Sequence, residues 1–478
     1  MYLGIDLGTS GVKALLIDED QAIVGSATTE LTVGRPAPGW SEQDPADWIA
    51  ATITSLQELG AQHDLLAVRG VGLSGQMHGA TLLDASDQVL RPAILWNDTR
   101  SHEEAAALDA DPQFRALTGN IVFPGFTAPK LAWVKKHETD AFTKVRKVLL
   151  PKDFLRFWLT GDHVSEMSDA AGTSWLDTGA RSWSESLLAA TEMTTEQMPR
   201  LVEGSETSGV LRAEIAEYGL RPGIPVAGGA GDNAASAIGA GVVGVGQAFV
   251  SLGTSGVLFA SGDGYAPAPE TALHSFCHAL PDCWHQMGVV LAASDALTWY
   301  GQLVGQKPAE LTEELGSLQA PGRALFMPYL GGERTPHNDA QVRGAFIGLE
   351  HVTDRASGTR AVLEGVAFAL RDSLAAMQAT GTVPERVLAL GGGSNSRYWL
   401  EVIATALNCP VDVPEDGDFG AAFGAARLGI MAAEGAGAEI AKPPAISETI
   451  APKHDLKDAF SEAYTRYRAT YTALKELS

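Results

Sequence analysis

The sequence has 478 residues, with 34 Lys and Arg against 58 Asp and Glu, and its formal net charge is −24. A chain of this length is expected to form two or three domains and to bury a large core without disulfides. The negative charge makes nucleic acids and acidic membranes unfavourable partners, and no apolar run approaches the ~20 residues that span a bilayer. The N-terminus has no signal-peptide pattern, and three cysteines in so long a chain are typical of a reducing cytoplasm, so a cytoplasmic location is expected.

Strands and helices alternate along the chain, which predicts an α/β fold. Four apolar segments near the N-terminus are expected to form strands: Tyr2–Asp6, Val12–Ile17, Ala22–Leu31 and Val68–Leu73. A helix is predicted between the third and the fourth of them. Asp44 can cap this helix, Pro45 suits its first turn, and apolar residues follow at helical spacing as far as Gly60.

The hexapeptide Leu7–Val12 recurs letter for letter as Leu252–Val257, about half the chain length later. Both copies lie between strand-like segments, which makes coincidence a weak explanation. We therefore predict two related α/β domains, residues 1–243 and 244–478, with the boundary in the glycine-rich stretch Gly239–Gly246. Each domain would open with a hairpin loop of free backbone N–H groups, and two such loops facing a cleft could hold a polyphosphate from both sides.

Later segments complete the second predicted domain. Its expected elements are a long helix over Arg355–Thr380, a strand over Val387–Leu390, a helical pattern from Trp399 to Leu407 and a closing amphipathic helix over Leu456–Leu477. Residues Ala432–Ala451 are rich in Ala, Gly and Pro, which predicts that they include a surface connection.

Asp6 ends the first predicted strand, immediately before the first copy of the repeat. Phosphoryl transfer uses Mg²⁺ to neutralise phosphate charge, and Mg²⁺ prefers carboxylate and water ligands, so Asp6 is a candidate ligand, directly or through water. Capping of the hairpin turn is the alternative role. Lys13, just past the loop, could reach a transferred phosphate as a point charge, or could be a solvated strand lysine.

Asp232 follows the small-residue run Ala227–Gly231, where a substrate can approach the backbone closely. A carboxylate there can orient an alcohol and accept its proton as phosphate arrives. Capping of a helix over Ala234–Ala240 is the alternative. Gly391–Gly393 lie between a predicted strand and a predicted helix, which suits the approach of a nucleotide, although a tight turn would also explain them. They do not form a Walker loop.

Five His and Cys residues cluster in one short segment: His274, Cys277, His278, Cys283 and His285. Their order does not match the paired spacing of zinc sites. We therefore expect them in strands or in the core and predict no metal site in this segment.

Together these features resemble the FGGY carbohydrate kinases, within the actin-like ATPase superfamily, along essentially the whole chain. The first family signature matches at Gly125–His137, and the second matches at its start, Gly344–Leu349, and at its end, Ala361–Glu364. The second signature departs at Ser357-Gly358, where the family usually has a polar or acidic residue and then an apolar one, and this bears on where the local helix starts. The resemblance implies two ribonuclease-H-like domains that close over a deep cleft and exclude water.

Within the family, the resemblance is greatest to members that phosphorylate D-xylulose at O5. Five segments carry it: Leu73–Gly79, Leu95–Asp98, Gly228–Ala235, His274–Leu280 and Gly332–His337. The resemblance implies that Asp232 is the general base toward the sugar hydroxyl, and that Met77 and His78 line the ketose pocket with Asn233 beside the base. Asp6 would assist Mg²⁺–ATP.

The resemblance also implies a nucleotide site, with the sugar bound mainly by the N-terminal domain and ATP mainly by the C-terminal domain. Thr9, Gly253 and Thr254 would face the phosphates, and Lys13, by its position past the first loop, is a further candidate for this site. Gly391, Gly392 and Asn395 would face the nucleoside. A small-molecule ketose is the expected partner, and the resemblance makes a homodimer an expectation.

Three alternatives stay open at this point. The sugar could be ribulose, gluconate or glycerol, because distant residues also shape a pocket. An actin-like filament or heat-shock-type ATPase would share the nucleotide loops without sugar chemistry, although the first kinase signature and the Asp232 segment disfavour it. A catalytically silent sugar sensor would lack Asp6 or Asp232, and both carboxylates are present.

Overall fold

The computed structural model describes residues 1–415 and 419–477, and two large sheets organise it. The strands of the first sheet are β1 (Tyr2–Leu7), β2 (Gly11–Ile17), β3 (Ile23–Glu30), β4 (Gly70–Gly75), β5 (Thr207–Val210), β6 (Pro225–Ala227) and β7 (Ala230–Gly231). Those of the second are β8 (Ala248–Leu252), β9 (Gly256–Gly262), β10 (His274–Cys277), β11 (Trp284–Val290), β12 (Val387–Leu390), β13 (Val411–Pro414) and β14 (Ile446–Ile450).

The longer helices pack on these sheets and on one another. They are α1 (Pro45–Gly60), α2 (His102–Asp109), α3 (Thr127–His137), α4 (Pro151–Thr160), α5 (Asp232–Ala240), α6 (Ser294–Val304), α7 (Arg355–Ala379), α8 (Arg397–Leu407), α9 (Ala421–Glu434) and α10 (Lys457–Lys475). Shorter helices are Pro112–Thr118, Thr139–Phe142, Met167–Ala170, Glu185–Ala190 and Pro308–Glu313. Short strand pairs are Glu42–Gln43 with Ala93–Ile94, Thr81–Leu83 with Lys147–Leu149, Val164–Glu166 with Arg200–Val202, Leu176–Asp177 with Ser182–Trp183, and Leu325–Met327 with Ala345–Ile347.

The two sheets share one topology. The order β3-β2-β1-β4-β6 in the first corresponds to β11-β9-β8-β12-β13 in the second. In each of these orders the neighbouring strands among the first three are antiparallel to each other. The last two strands run parallel to the third, which is β1 in the first sheet and β8 in the second. This is the arrangement of a ribonuclease-H-like domain, so the predicted α/β fold with two such domains is confirmed. The repeated hexapeptide forms the β1–β2 hairpin loop in one and the β8–β9 loop in the other.

Local signals placed most elements to within two residues. Asp44 caps α1 as predicted, its carboxylate accepting a hydrogen bond from the Ala46 N–H at 2.9 Å. The predicted strand over Val68–Leu73 lies two residues later, at β4, because a capped turn over Leu65–Ala67 precedes it.

The departure from the second family signature is explained by α7. This helix starts at Arg355, with Asp354 accepting a hydrogen bond from the Ser357 N–H at 2.8 Å. A Cβ at Gly358 would overlap the Tyr300 hydroxyl, which donates to the Arg355 carbonyl at 3.1 Å. Glycine at this position therefore makes room for a tertiary contact while leaving the helix start intact.

The segment Ala432–Ala451 includes the expected surface connection, between residues 434 and 446, but also parts of two elements. Its first residues end α9, which the sequence did not predict, and residues Ile446–Ile450 form the edge strand β14 against β13. Helix α9 escaped prediction because it is built mainly of Ala and Gly, which give little apolar periodicity.

Helices α5 and α9 cross between the two halves of the molecule. Helix α5 follows the first sheet but packs on Phe249 and Phe259 of the second. Helix α9 lies in the chain between β13 and β14 of the second sheet but packs on the first sheet, where Gly72 lies against the Ala425 carbonyl so closely that a Cβ would overlap it. Gly424 meets the Ala235 carbonyl in the same way. The exchange locks each domain onto the other through backbone contacts that only glycine permits.

The predicted boundary between residues 243 and 244 lies in the segment that joins α5 to β8, and it stays a prediction. Within residues 1–415 and 419–477, no helix is both long and apolar enough to cross a membrane.

Gly72→Ala tests the backbone contact between α9 and the first sheet. The added methyl group has no space beside the Ala425 carbonyl, so we expect a loss of at least about 1–3 kcal/mol in the free energy of unfolding, measured by urea denaturation. Gly264→Ala is the matched control, because a Cβ there meets no atom within 4 Å. Equal stability of the two variants would contradict close packing at Gly72.

Candidate active site

The first hairpin loop is held by a network of buried amides. The Thr9 hydroxyl donates to Gln76 Oε1 at 3.0 Å and accepts from Trp96 Nε1 at 2.9 Å. Gln43 Nε2 donates to the Thr9 carbonyl at 2.8 Å, and Gln76 Nε2 donates to Gln43 Oε1 at 3.0 Å. The loop geometry is therefore fixed by side chains from three separate segments.

Asp6 and Lys13 lie directly opposite each other on the antiparallel pair β1–β2. Such opposed residues have Cβ atoms about 4.5–5.5 Å apart, which places the carboxylate and the ammonium on one face of the sheet. Asp6 is also in register with Ser74 of the parallel strand β4, which leads into Met77 and His78. The sheet thus brings together residues that are far apart in the sequence.

Asp232 is the first residue of α5 and is half-buried. Its Oδ1 accepts hydrogen bonds from the Asn233 backbone N–H at 2.7 Å and from Asn233 Nδ2 at 2.9 Å. Burial, and then the negative charge of Asp6, raise the pKa of Asp232 to about 6. The two carboxylates therefore share one electrostatic environment. The residue at the helix-capping position is Gly231, so Asp232 is not the helix cap.

Met77 and His78 follow strand β4, and Met77 packs on the residue that precedes Asp232. The Met77 side chain packs on Gly231, where a Cβ would come within 2.8 Å of Met77 Cγ. His78 adopts a left-handed backbone with φ of 70°, and its Nδ1 donates to the Gly172 carbonyl at 2.7 Å. Burial, and then the charge of Lys130, lower the pKa of His78 to about 3. The ring is therefore neutral, with Nε2 as an acceptor.

The first family signature fixes His78. Lys130 of α3 donates to the carbonyls of His78 at 2.8 Å and of Gly125 at 2.7 Å, and the Thr127 hydroxyl donates to the same His78 carbonyl at 3.1 Å. Burial lowers the pKa of Lys130 well below its ordinary value. These contacts hold the strained backbone of His78 in place and give the signature a structural role.

A cavity of about 750 Å³ lies beside the second hairpin loop. Its lining includes four residues predicted for the nucleotide: Gly253, Thr254, Gly392 and Asn395. Gly391 does not line this cavity, but it precedes Gly392 and has a φ of 85°, which favours glycine. The structure thus gathers the predicted C-terminal residues around one cavity, while Asp6, Lys13, Met77, His78, Asp232 and Asn233 form a second group.

Sequence reasoning missed a fully buried charge cluster beneath Asp232. Lys152 Nζ lies 2.8 Å from Asp153 Oδ1, 3.1 Å from Glu166 Oε1 and 3.0 Å from Asp169 Oδ2. Burial raises the pKa of Asp169 to about 8. Glu166 accepts from the Ser168 hydroxyl at 2.8 Å, and that oxygen accepts from the Gly231 N–H at 3.0 Å. The cluster is therefore linked to the residue that precedes Asp232.

The five His and Cys residues of the rejected zinc site lie in β10, β11 and the turn between them. His285 stacks on Phe259 with ring centroids 4.4 Å apart, and His274 stacks on Phe276 at 5.4 Å. Within the described ranges, no group of three or more His, Cys, Asp or Glu residues is arranged to hold a metal ion.

Comparison with known proteins places this architecture in a family. The N-terminal domain of the FGGY family of carbohydrate kinases matches residues 1–239, and the C-terminal domain of that family matches residues 248–433. The chain therefore belongs to the FGGY family of carbohydrate kinases, as the sequence signatures predicted.

Individual relatives carry more specific descriptions. The chain is 50% identical to the xylulose kinase of Escherichia coli K12, over 91% of this chain and 90% of that protein. A crystal structure from Brucella ovis, described as a xyloylose kinase, is 64% identical with a TM-score of 0.99, covering 100% of both chains. The crystal structure of xylulose kinase from Rhodospirillum rubrum is 28% identical with a TM-score of 0.93, covering 100% of this chain and 99% of that one.

Lys152→Met tests the buried charge cluster. Removing the ammonium leaves Glu166 and Asp169 without their cation, while Asp153 keeps its ion pair with Arg156, so we expect a loss of about 3–5 kcal/mol in the free energy of unfolding. Lys135→Met is the control, because Lys135 forms an exposed ion pair with Glu192 and should cost no more than about 1 kcal/mol. Urea denaturation of both variants measures the difference, and similar small losses would show that the cluster does not stabilise the fold.

Proposed function

We propose that the protein transfers the terminal phosphoryl group of ATP to the O5 hydroxyl of D-xylulose. The observation that carries the proposal is the position of Asp232, which directly follows Gly231, the residue that Met77 packs on, and which shares the electrostatic environment of Asp6. The descriptions of the E. coli, B. ovis and R. rubrum proteins support the choice of sugar.

Asp232 acts as the general base in this proposal. A sugar hydroxyl is a poor nucleophile at neutral pH, and its proton must leave as the bond from oxygen to phosphorus forms. The Asp232 carboxylate accepts that proton while the bond between the γ-phosphorus and the β,γ-bridging oxygen breaks, and ADP departs. Asn233 holds Oδ1 through two hydrogen bonds, which directs the carboxylate and keeps it positioned for the hydroxyl.

Asp6 would hold Mg²⁺, most simply through water. Two carboxylates close enough for Asp6 to raise the pKa of Asp232 form an oxygen-rich, negatively charged region that suits a divalent cation. When bound, Mg²⁺ supplies neutralisation of phosphate charge. Lys13, opposite Asp6 on β2, would add a positive charge on the same face.

The nucleotide would occupy the cavity beside the second hairpin loop. Its volume of about 750 Å³ lies in the range of small-molecule sites. Gly253 and Thr254 would face the phosphates, and Gly391, Gly392 and Asn395 the nucleoside. Thr9 would approach the phosphates from the first loop, where its hydroxyl already bonds Gln76 and Trp96, so its backbone is the better candidate for contact.

The wider organisation follows from the same proposal. We place the sugar mainly on residues 1–243 and the nucleotide mainly on residues 244–478. Homodimerisation and a cytoplasmic location stay predictions.

The choice of sugar is tested with a substrate panel. Release of ADP from Mg²⁺–ATP is measured with D-xylulose, D-ribulose, D-gluconate and glycerol, and we expect the highest kcat/KM with D-xylulose. The neutral His78 ring can accept a hydrogen bond from a sugar hydroxyl, and an analogue that leaves it unpaired is penalised. A higher kcat/KM with another sugar would contradict the assignment, and sugar-independent turnover would favour an ATPase.

The role of Asp232 predicts a pH profile. Below a pKa of about 6 the carboxyl is protonated and cannot accept a proton, so kcat/KM for the sugar should fall as the pH drops through 6. Asp232→Asn should lower kcat by ~10²–10⁴ while Mg²⁺–ATP still binds. Asp6→Asn removes the neighbouring charge and should move the acid limb of its residual activity to lower pH. Near wild-type activity of folded Asp232→Asn would exclude Asp232 as the base.

A further inference from the structure

The guanidinium of Arg334, from the second half of the chain, lies close to the aromatic side chains around His78. Arg334 follows the short strand Leu325–Met327, and its Nη1 donates to His274 Nε2 at 3.3 Å. Its guanidinium carbon lies 4.2 Å from the centroid of the Phe123 ring. The positive charge of Arg334 contributes to the lowered pKa of both His78 and His274, so it lies close to both rings.

Aromatic contacts connect Arg334 to the pocket of His78. The ring of Phe126 lies 4.5 Å from His78 and 6.0 Å from His274, measured between centroids. His274, Phe123 and Arg334 therefore lie at one end of a continuous set of contacting side chains. At the other end, Met77 packs on Gly231, which precedes Asp232. The first sheet supplies one end of this set, and the second half of the chain supplies the other.

Glu333 acts electrostatically on Arg334 but forms no ion pair with it. Among the residues that the structure describes, no carboxylate oxygen lies within 4.0 Å of the Arg334 guanidinium nitrogens. The neighbouring Glu333 is buried, and its Oε1 accepts from the N–H groups of Leu291 at 3.0 Å and of Arg334 at 2.8 Å. Burial raises the pKa of Glu333 to about 8, so it is mainly neutral at pH 7.

The hydrogen-bonding capacity of Arg334 is mostly unused by protein groups. A guanidinium has five N–H donors. Among the described residues, the Arg334 side chain makes one hydrogen bond to protein, to His274. Partly buried donors without acceptors are costly, whereas a hydrogen bond from a charged donor to a ligand oxygen is strong. A ligand that brings oxygen acceptors to this end of the set would satisfy them.

We propose that Arg334 binds an oxygen atom of the sugar at the end remote from the phosphorylated hydroxyl, which rests on the function proposed above. With O5 at Asp232, the C1 hydroxyl and the C2 carbonyl of the open-chain ketose extend toward Arg334. The neutral rings of His78 and His274 flank the same region and can hydrogen-bond a neutral sugar. Arg334 is thereby a specificity-determining residue supplied by the second half of the chain.

The test compares Arg334→Met with Arg343→Met in the full-length protein. Arg343 lies on the same connection, is exposed and donates only to the carbonyls of Ala340, Gln341 and Val342, so its change controls for loss of a local arginine. Binding of D-xylulose without nucleotide is measured by calorimetry, and KM for ATP by steady-state kinetics. We expect Arg334→Met to weaken sugar binding by ~10–100-fold, the span for losing a hydrogen bond to a charged group, with KM for ATP changed less than about twofold.

Each other outcome decides the question. Wild-type sugar affinity in Arg334→Met, or equal losses for sugar and ATP, would overturn the proposal and assign Arg334 to packing on Phe123. The wild-type protein could instead bind D-gluconate more tightly than D-xylulose and lose this preference in Arg334→Met. That result would make a carboxylate the ligand of Arg334 and would also overturn the proposal. If Arg334→Met does not fold, Arg334→Gln decides, because it keeps a polar side chain but removes the charged donor; unchanged sugar affinity there refutes the proposal. No sugar binding by wild type at all would instead refute the proposed function.

Discussion

The fold depends on the contact of backbone with backbone where α5 and α9 cross between the domains. Gly72 and Gly424 let carbonyl oxygens of Ala425 and Ala235 approach without a side chain between them. Each helix belongs by sequence to one sheet and packs on the other. Because Asp232 is the first residue of α5, this crossing also fixes the position of the carboxylate relative to both domains.

The electrostatics of the site follow from burial. Burial disfavours the charged form of every group. It therefore raises the pKa of Asp232, which the charge of Asp6 raises further, and it lowers the pKa values of His78 and Lys130. Lys152 and Arg156 pair with the buried carboxylates nearby, and Glu166 connects through Ser168 to the residue before Asp232. The protein thus sets charged groups in a low-dielectric region where their mutual effects are large.

The sequence predicted what short-range signals encode. The β1–β2 hairpin, the start of α1 at Asp44 and the strand Val387–Leu390 each rest on neighbouring residues, and the repeated hexapeptide identified two domains of the same topology. Helix α9 was missed because Ala and Gly carry little periodicity. The Lys152 cluster was missed because its partners become neighbours only when separate segments fold together.

In the predicted site, too, residues marked by a local sequence pattern were found from the sequence, and residues that depend on long-range contacts were not. The C-terminal glycines and Thr254 border one cavity, as the loop patterns suggested, while the family signature at Gly125–His137 gave no hint that Lys130 would hold the His78 carbonyl. The side chain of Arg334 reaches His274 across sixty residues of sequence, and no local pattern marks such a contact. Residues that act through long-range geometry therefore become visible only in the folded structure.

The most direct test of this account is a crystal structure of the protein with D-xylulose and a non-hydrolysable ATP analogue. We predict O5 within about 2.6–3.2 Å of an Asp232 oxygen, the distance for proton transfer. The γ-phosphate should lie between the two hairpin loops and the adenosine beside Gly392. A sugar bound with O1 at Asp232, or a nucleotide outside the cavity bordered by Thr254, would contradict the account.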